Sequence, residues 1–496
     1  MRRQGTGMTE TPAVVEVDRT LTRGELDEMV DRFATALAAH GAGPSGRVGW
    51  IMANRAEVLA VALAARGLGA PVVAFGRRCT AEELTGRIAV AAPAVIVVDG
   101  AERQRVQDVA DGVPVLDVTE PLPEGAGLVA ARAEPTGDTD RLGAGASLLF
   151  TSGTSGRPKA ALRTRGDRRL AERIANGFGL GAKTRFLVSG PLTHSGPWTC
   201  ALMSLSRGGT VGLLRGFDAE AWLDFASEHG MNSGFLTPTQ LRRLVRAGRD
   251  RRDRLPTPTH VVVSGEPFPD ALKREAVRLF GPGFVECYGS TELGPTTALH
   301  AREFADHPGS SGRPFDGVEV AAFRDGRRLG AGEEGVLHAR TPLAFDGYVG
   351  GDERLGTARR EEQAPGGGWQ TVGDVGFVDA DGYVHVTGRA DDMIISGGVN
   401  MVPADIEAVL GGHPDVRECV VFGVPDPVWG QRVAAAVVSD TDLDAAQVRD
   451  WMRGRISDDK RPYDVLRLPE LPMTANGKVS RPALAAMLAA VRGADG

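Results

Sequence analysis

The chain has 496 residues, 42% of them hydrophobic and 24% charged, and a formal net charge of −7. At about 150 residues per domain this is room for roughly three domains and for a sizeable buried core. The acidic balance argues against nucleic acid as a partner, since phosphate backbones select basic faces. The four cysteines show no spacing of a zinc site and fit a reducing cytoplasm.

In chain order, short apolar runs alternate with helical patterns. Strands are expected at 48–52, 71–75, 94–98, 147–151, 186–189, 210–214 and 260–264, with helices such as 23–40 and 56–66 between them. This alternation predicts an α/β fold of largely parallel sheets flanked by helices. The most apolar stretch, 58–75, contains Arg66 and two glycines; it reads as a helix followed by a strand, with no membrane insertion. The arginine-rich run 242–254 reads as a solvated helix end and loop. From about residue 309 to 388, strands separated by Gly and Asp turns predict a small β-rich subdomain.

The last hundred or so residues read as a separate, smaller α/β domain. Its helix at 444–456 is capped by Asp444 with Gln447 three residues on, and Val448, Trp451, Met452 and Ile456 share one face. No low-complexity linker separates the domains. The expected boundaries are 1–388 for the N-terminal domain, 389–391 for a hinge and 392–496 for a mobile C-terminal domain.

The most informative segment follows the strand at 147–151. It runs Thr151, Ser152, Gly153, Thr154, Ser155, Gly156, Arg157, Pro158 and Lys159. Glycines let a backbone approach an anion closely, hydroxyls and N–H groups bind phosphate oxygens, and Lys159 adds a mobile cation. The order is not that of a Walker loop, because Arg157 and Pro158 separate the last glycine from the lysine. Two other glycine patterns, Gly41-x-Gly43-x-x-Gly46 and Gly330-x-Gly332-x-x-Gly335, precede strands rather than helices. They read as turns, not dinucleotide sites. Lysine is scarce in this arginine-rich chain: Lys159, Lys183, Lys273, Lys460 and Lys478 are all there are, and two of them fall in motif segments.

Seven segments in this order resemble the adenylate-forming superfamily, in the branch of the acyl-CoA synthetases and AMP-dependent ligases. They are 151–159, Pro191 to His194, Ser264-Gly265-Glu266-Pro267, Tyr288-Gly289-Ser290-Thr291-Glu292, Gly373-Asp374, Gly388 to Asp391 and Asn476-Gly477-Lys478. The resemblance covers nearly the whole chain and implies roles. The hydroxyl loop would hold the β- and γ-phosphates of ATP. Tyr288 would stack on adenine, with Ser264 to Pro267 as the other wall and Gly289 and Ser290 beside it. Thr291 would contact the α-phosphate and Glu292 would ligate Mg²⁺, an ion that takes hard carboxylate oxygen. Asp374 would accept the ribose hydroxyls with Arg389 as second contact. Lys478 would bridge the attacking carboxylate and the α-phosphate, and His194 would border the acid pocket.

The same resemblance implies two half-reactions. The C-terminal domain would swing about Asp391 after adenylation, and Gly397 and Gly398 would line a channel for CoA. The expected activity is ATP-dependent conversion of an aryl or medium-chain carboxylic acid to acyl-AMP, then to the CoA thioester. The expected partners are a small-molecule acid, ATP with Mg²⁺, and CoA; a homodimer is left open. Two alternatives keep the adenylation: transfer to a carrier-protein thiol or an amine, or activation of an inorganic oxyacid such as nitrite. A third is a homologue that binds nucleotide without catalysis. The acid pocket is expected among residues 191–200, 233–237 and 289–294.

Overall fold

A computed structural model describes residues 10–125, 146–150, 160–164, 166–248, 255, 260–350, 359–360, 368–396, 399–473 and 479–494. The chain divides into two compact units, one of residues 1–320, 339–361 and 368–370, the other of 321–338, 362–367 and 371–496.

The first unit holds two twisted, mostly parallel sheets. One runs in the order Arg313–Pro314, Gly294–His300, Phe284–Ser290, His260–Val263, Ser233–Leu236, Arg185–Val188, Thr210–Leu213, Pro12–Val15, Thr20–Thr22. Its five central pairings are parallel, and antiparallel strands close both edges. The second runs Gly347–Val349, Ala160–Arg163, Ser147–Phe150, Val72–Ala74, Arg47–Ile51, Pro93–Val98, Val115–Asp117. All seven strands expected from the sequence are present, each within a residue or two, because strands buried on both faces are continuous apolar runs. The run at 58–75 divides as expected into the helix Ala56–Leu68 and the strand Val72–Ala74, with Gly69 at φ 71° ending the helix. No helix among the described residues is long and apolar enough to cross a membrane.

Local chemistry sets the helix starts. Thr22 caps Arg23–Ala39 and Thr80 caps Ala81–Ala91, each closing a reciprocal box with a glutamate three residues on. A core built around Trp222, Phe225, Leu241, Leu244, Val261, Leu279 and Phe284 fills the space between the larger sheet and its helices. Each such side chain contributes about 1.5–3 kcal/mol of burial. Both glycine patterns are turns: Gly43 and Gly46 exchange backbone hydrogen bonds before the strand Arg47–Ile51, and Gly330 N–H donates to Glu333 Oε2 before Gly335–Arg340.

In the second unit Val416–Asp426 and Gly430–Ser439 form a long antiparallel hairpin. Ile394–Ser396 and Val399–Met401 pair with each other at one edge, and Asp464–Arg467 lies parallel on Gly430–Ser439. The two faces bury separate clusters, one around Ile406, Val421, Val437 and Met452, the other around Phe422, Ala436, Leu484 and Leu488. Asp444 caps its helix with the expected Gln447 box, but the helix is Ala445–Met452. It stops before 456 because Gly454 takes φ 74° and turns the chain.

Candidate functional site

In the first unit the candidate site is built on the hairpin of Phe284–Ser290 with Gly294–His300. A Cβ on Gly289 would lie 2.4 Å from Gly294 O, so only glycine allows the two strands this approach. Ser290 Oγ accepts from Leu293 N–H at 3.1 Å and closes the tip. Tyr288, Ser290 and Thr291 are half-buried on this tip, whereas Glu292 is 9% exposed.

Three contacts hold Thr291 and Glu292 from outside the hairpin. Arg163 Nη2 donates to Thr291 O at 2.8 Å, Phe345 N–H donates to Glu292 O at 2.7 Å, and Tyr348 Oη donates to Glu292 Oε1 at 2.8 Å. Burial depresses the guanidinium of Arg163, while the charges of Glu292 and Asp346 pull the other way. Neither Arg163 nor Tyr348 is legible as a site residue in the sequence: each lies far along the chain in a strand without a motif of its own.

The three segments expected around the acid converge here. Ser195 Oγ lies 3.5 Å from Thr291 Oγ1. The ring of Phe235 covers Gly196 so closely that a Cβ there would lie 2.4 Å from Phe235 Cζ. His194 is half-buried at the cap of the helix Ser195–Ser206, its carbonyl accepting from Trp198 N–H at 3.1 Å. Trp198, one turn into that helix, stacks on Trp50 with ring centroids 6.0 Å apart. Buried Asn54 fixes the approach to His194. Its Nδ2 donates to Gly190 O at 2.9 Å and Leu214 O at 3.0 Å, and its Oδ1 accepts from Leu192 N–H at 3.0 Å.

The segment Ser264 to Pro267 follows the strand His260–Val263 as a turn, with Gly265 at φ 98°. Glu266 Oε2 accepts from Thr239 N–H and Oγ1 at 2.9 and 2.7 Å, so this carboxylate is engaged at the first turn of Pro238–Gly248. Ser264 is hydrogen-bonded to the thiol of Cys287, which burial pushes up to about 12.

In the second unit Asp374 and Arg389 are brought together. They face each other across an antiparallel pair, Arg389 Nε lies 3.3 Å from Asp374 Oδ1, and Arg389 Nη2 donates to Val372 O at 2.8 Å. Gly373, at φ 82°, makes the turn that presents Asp374. Asp391 falls in the short 3₁₀ turn Ala390–Asp392 that follows. Arg432 pairs with Asp464 at 3.0 Å and lies 3.7 Å from Asp426.

Residues 151–159 (Thr151, Ser152, Gly153, Thr154, Ser155, Gly156 and Lys159 among them), Gly397, Gly398 and Lys478 lie outside the described residues. Their flanks are described. Phe150 pairs with Ala160 across the first gap, Ser396 with Val399 across the second, and Met473 with Val479 across the third.

Among the described residues no group of three or more His, Cys, Asp and Glu side chains is gathered as for a resident metal. Glu292 fits Mg²⁺ in another way. It is a single, mostly buried carboxylate with one oxygen already oriented by Tyr348, and Mg²⁺ is commonly held by one or two carboxylates plus the phosphates of a substrate.

A family model described as AMP-binding enzyme matches residues 1–349, and one described as AMP-binding enzyme C-terminal domain matches 405–478. A feruloyl-CoA synthase of Amycolatopsis sp is 34% identical to this chain, covering 97% of it and 98% of its own length. Among solved structures, o-succinylbenzoate CoA synthetase of Bacillus subtilis in complex with an acyl-adenylate intermediate superposes with a TM-score of 0.81 at 26% identity, over 96% of this chain and 95% of its own. That enzyme has also been solved with ATP and magnesium ion. An amide bond synthetase of Marinactinospora thermotolerans superposes with a TM-score of 0.80 at 29% identity, over 97% of both chains.

Proposed function

Since the chain belongs to the AMP-binding enzyme family and is an adenylate-forming enzyme, we propose that it is an ATP-dependent acid–CoA ligase whose acid carries an aromatic ring. The carboxylate oxygen of the acid attacks the α-phosphorus of ATP and pyrophosphate leaves. The thiol sulfur of CoA then attacks the acyl carbon, its proton passes to solvent, and AMP leaves.

The observation that carries this reading is the 3.5 Å approach of Ser195 to Thr291. It joins the segment that borders the acid to the segment that meets the α-phosphate, which is what an in-line attack requires. The aromatic preference is supported by the ring of Phe235 over Gly196, and by a full-length relative named for feruloyl-CoA.

In this reading Tyr288 stacks on adenine between Ser264–Pro267 and Gly289–Ser290. The hydroxyl loop with Lys159 takes the β- and γ-phosphates, and Asp374 with Arg389 takes the ribose. Glu292 would hold Mg²⁺, which when bound neutralises phosphate charge. Lys478 supplies a cation where the carboxylate meets the α-phosphate, since two anions must be brought together there. The hinge at 389–391, pivoting at Asp391, moves residues 392–496 between the two half-reactions, and Gly397 and Gly398 leave room for the thin pantetheine chain. Four free cysteines suit a cytoplasmic enzyme.

A second reading keeps the adenylation and hands the acyl group to an amine. The likeness to an amide bond synthetase over 97% of both chains favours it. One experiment separates them: pyrophosphate release with a panel of aryl and alkyl acids, with CoA, with amines and with neither, products identified by mass spectrometry. Acyl-CoA from an aryl acid is expected. Amide formed equally fast with and without CoA would transfer the conclusion to the second reading, and no pyrophosphate with any acid would overturn both.

A further inference from the structure

The strands Ala160–Arg163 and Gly347–Val349 pair antiparallel, with Tyr348 opposite Ala161. Side chains alternate along a strand, so Ala161 and Arg163 share a face, and Tyr348, opposite Ala161, shares it too. That face meets the Thr291–Glu292 peptide. Arg163 holds the carbonyl of Thr291 and Tyr348 holds Oε1 of Glu292, both at 2.8 Å. Phe345 N–H holds the next carbonyl, that of Glu292, at 2.7 Å.

The strand pair is itself fixed. Asp346 N–H donates to Leu162 O at 2.8 Å, and Thr164 donates through N–H and Oγ1 to Asp346 Oδ2 at 2.6 and 2.7 Å. The ring of Tyr348 packs edge-on against Phe345, centroids 4.8 Å apart. Its hydroxyl therefore adds one specific thing to a ring already secured, a donor to one oxygen of Glu292.

We propose that Tyr348 and Arg163 are positioning residues for adenylation. Tyr348 occupies one oxygen of Glu292 so that the other is presented to the divalent cation, and Arg163 fixes the main chain so that the Thr291 hydroxyl meets the α-phosphate. This rests on the adenylate-forming reading of Glu292 and Thr291. A backbone carbonyl is the right target for such a restraint, because it sets the peptide plane and with it the direction of the threonine side chain.

The test uses the full-length enzyme with Mn²⁺ and a non-hydrolysable ATP analogue. Free Mn²⁺ is read by electron paramagnetic resonance, so no turnover is needed. Tyr348→Phe keeps the ring and its packing. The dissociation constant for Mn²⁺ in the nucleotide complex is expected to rise about 10-fold, as for other removed partners of a metal ligand, with the KM of the acid unchanged. Arg163→Met is expected to lower kcat of pyrophosphate release, and Arg163→Lys to recover part of it. An unchanged Mn²⁺ constant in Tyr348→Phe overturns the proposal. So does a parallel loss of cation, nucleotide and acid affinity together with the melting temperature, which is the mark of a merely structural role. If the wild-type enzyme holds no Mn²⁺ with the nucleotide, the adenylate-forming assignment of Glu292 falls first, so the two failures are told apart in the unmutated protein.

Discussion

The buried pair Lys273–Glu286 allows a stability prediction from geometry. Lys273 lies in the helix Asp270–Phe280 with its side chain 2% exposed, Nζ 2.7 Å from Glu286 Oε2 and donating to Ser310 O at 2.7 Å. The rings of Phe268 and Phe304 flank the ammonium, and Glu286 is 7% exposed on the strand that carries Tyr288 two residues later. Lys273→Met fills the same slot and leaves the carboxylate without its counter-ion. Breaking a buried pair from one side costs about 3–5 kcal/mol, a large part of the roughly 5–15 kcal/mol that holds a domain folded. The double variant Lys273→Met with Glu286→Leu removes both charges and is expected to recover most of the loss.

The pH dependence has a definite sign. Burial raises the carboxyl of Glu286, and Lys273 opposes that rise; without the lysine it rises further. A carboxyl raised in the folded state contributes stability below its unfolded pKa and loses it as pH climbs through the folded value. The deficit of Lys273→Met is therefore expected to be smaller near about pH 5 than near about pH 8. Urea unfolding of the wild type, the single and the double variant at both pH values measures all of this. A single-variant deficit under about 0.5 kcal/mol, within the range of ordinary surface changes, would refute the reasoning. So would a double variant no more stable than the single, or a deficit that grows toward acid.

Gly196→Ala must displace the ring of Phe235, since the new Cβ would lie 2.4 Å from it; the KM of the acid is expected to rise about 10-fold or more, with that of ATP unchanged, in pyrophosphate-release kinetics. Asn54→Leu keeps the branching of the side chain but orphans Gly190 O, Leu214 O and Leu192 N–H; a loss of roughly 2–4 kcal/mol in urea unfolding and a raised acid KM are expected. Lys478→Ala is expected to abolish adenylate formation and spare transfer from a supplied acyl-adenylate to CoA, both read by mass spectrometry; equal loss of both steps would remove the role given to the lysine. Burial pushes the thiols of Cys200 and Cys287 up, that of Cys287 to about 12, so neither is expected to react with a thiol-specific disulfide reagent at about pH 8 until the protein is unfolded.

The sequence carries those parts of the fold whose signal is local. The runs around Val48, Val95 and Val261 read as strands because each is apolar on both faces. The strand Ser233–Leu236 was legible only as a lining segment. It is four residues long and opens Ser-Gly, a turn signal, yet it lies in the middle of a sheet. Gly234 is there for closeness, since a Cβ would come 3.2 Å from Leu187 O. Asp374 and Arg389 were legible for a similar reason of locality, each within a short glycine-containing segment. Arg163, Tyr348 and Asn54 were not. Arg163 is 128 residues from Thr291, Tyr348 is 56 from Glu292, and Asn54 is 138 from Leu192. No periodicity links such positions; only the closed sheets do. Lys273 was hidden by its helix, where a lysine reads as surface.

The restraints on the two sides of the candidate site differ in kind, and this bears on how its specificity can change. On the side proposed for the phosphates, Thr291 and Glu292 are held by hydrogen bonds to two main-chain carbonyls and one carboxylate oxygen. Two of these restraints are donated by side chains, Arg163 and Tyr348, and the third by the main chain of Phe345, so this geometry changes only where those two side chains or that backbone change. On the side proposed for the acid the boundary is a contact between a glycine and an aromatic ring, Gly196 and Phe235. A single added methyl at Gly196, or a smaller residue at Phe235, alters that wall without touching any hydrogen bond to Thr291 or Glu292. One methylene in an apolar pocket is worth about 1–3 kcal/mol of discrimination. Replacing Phe235 by Leu should therefore shift preference among aryl acids by roughly 10- to 100-fold while the KM of ATP stays put. A matching change in the KM of ATP would mean that the two sides are mechanically coupled, and that Ser195 transmits the change to Thr291.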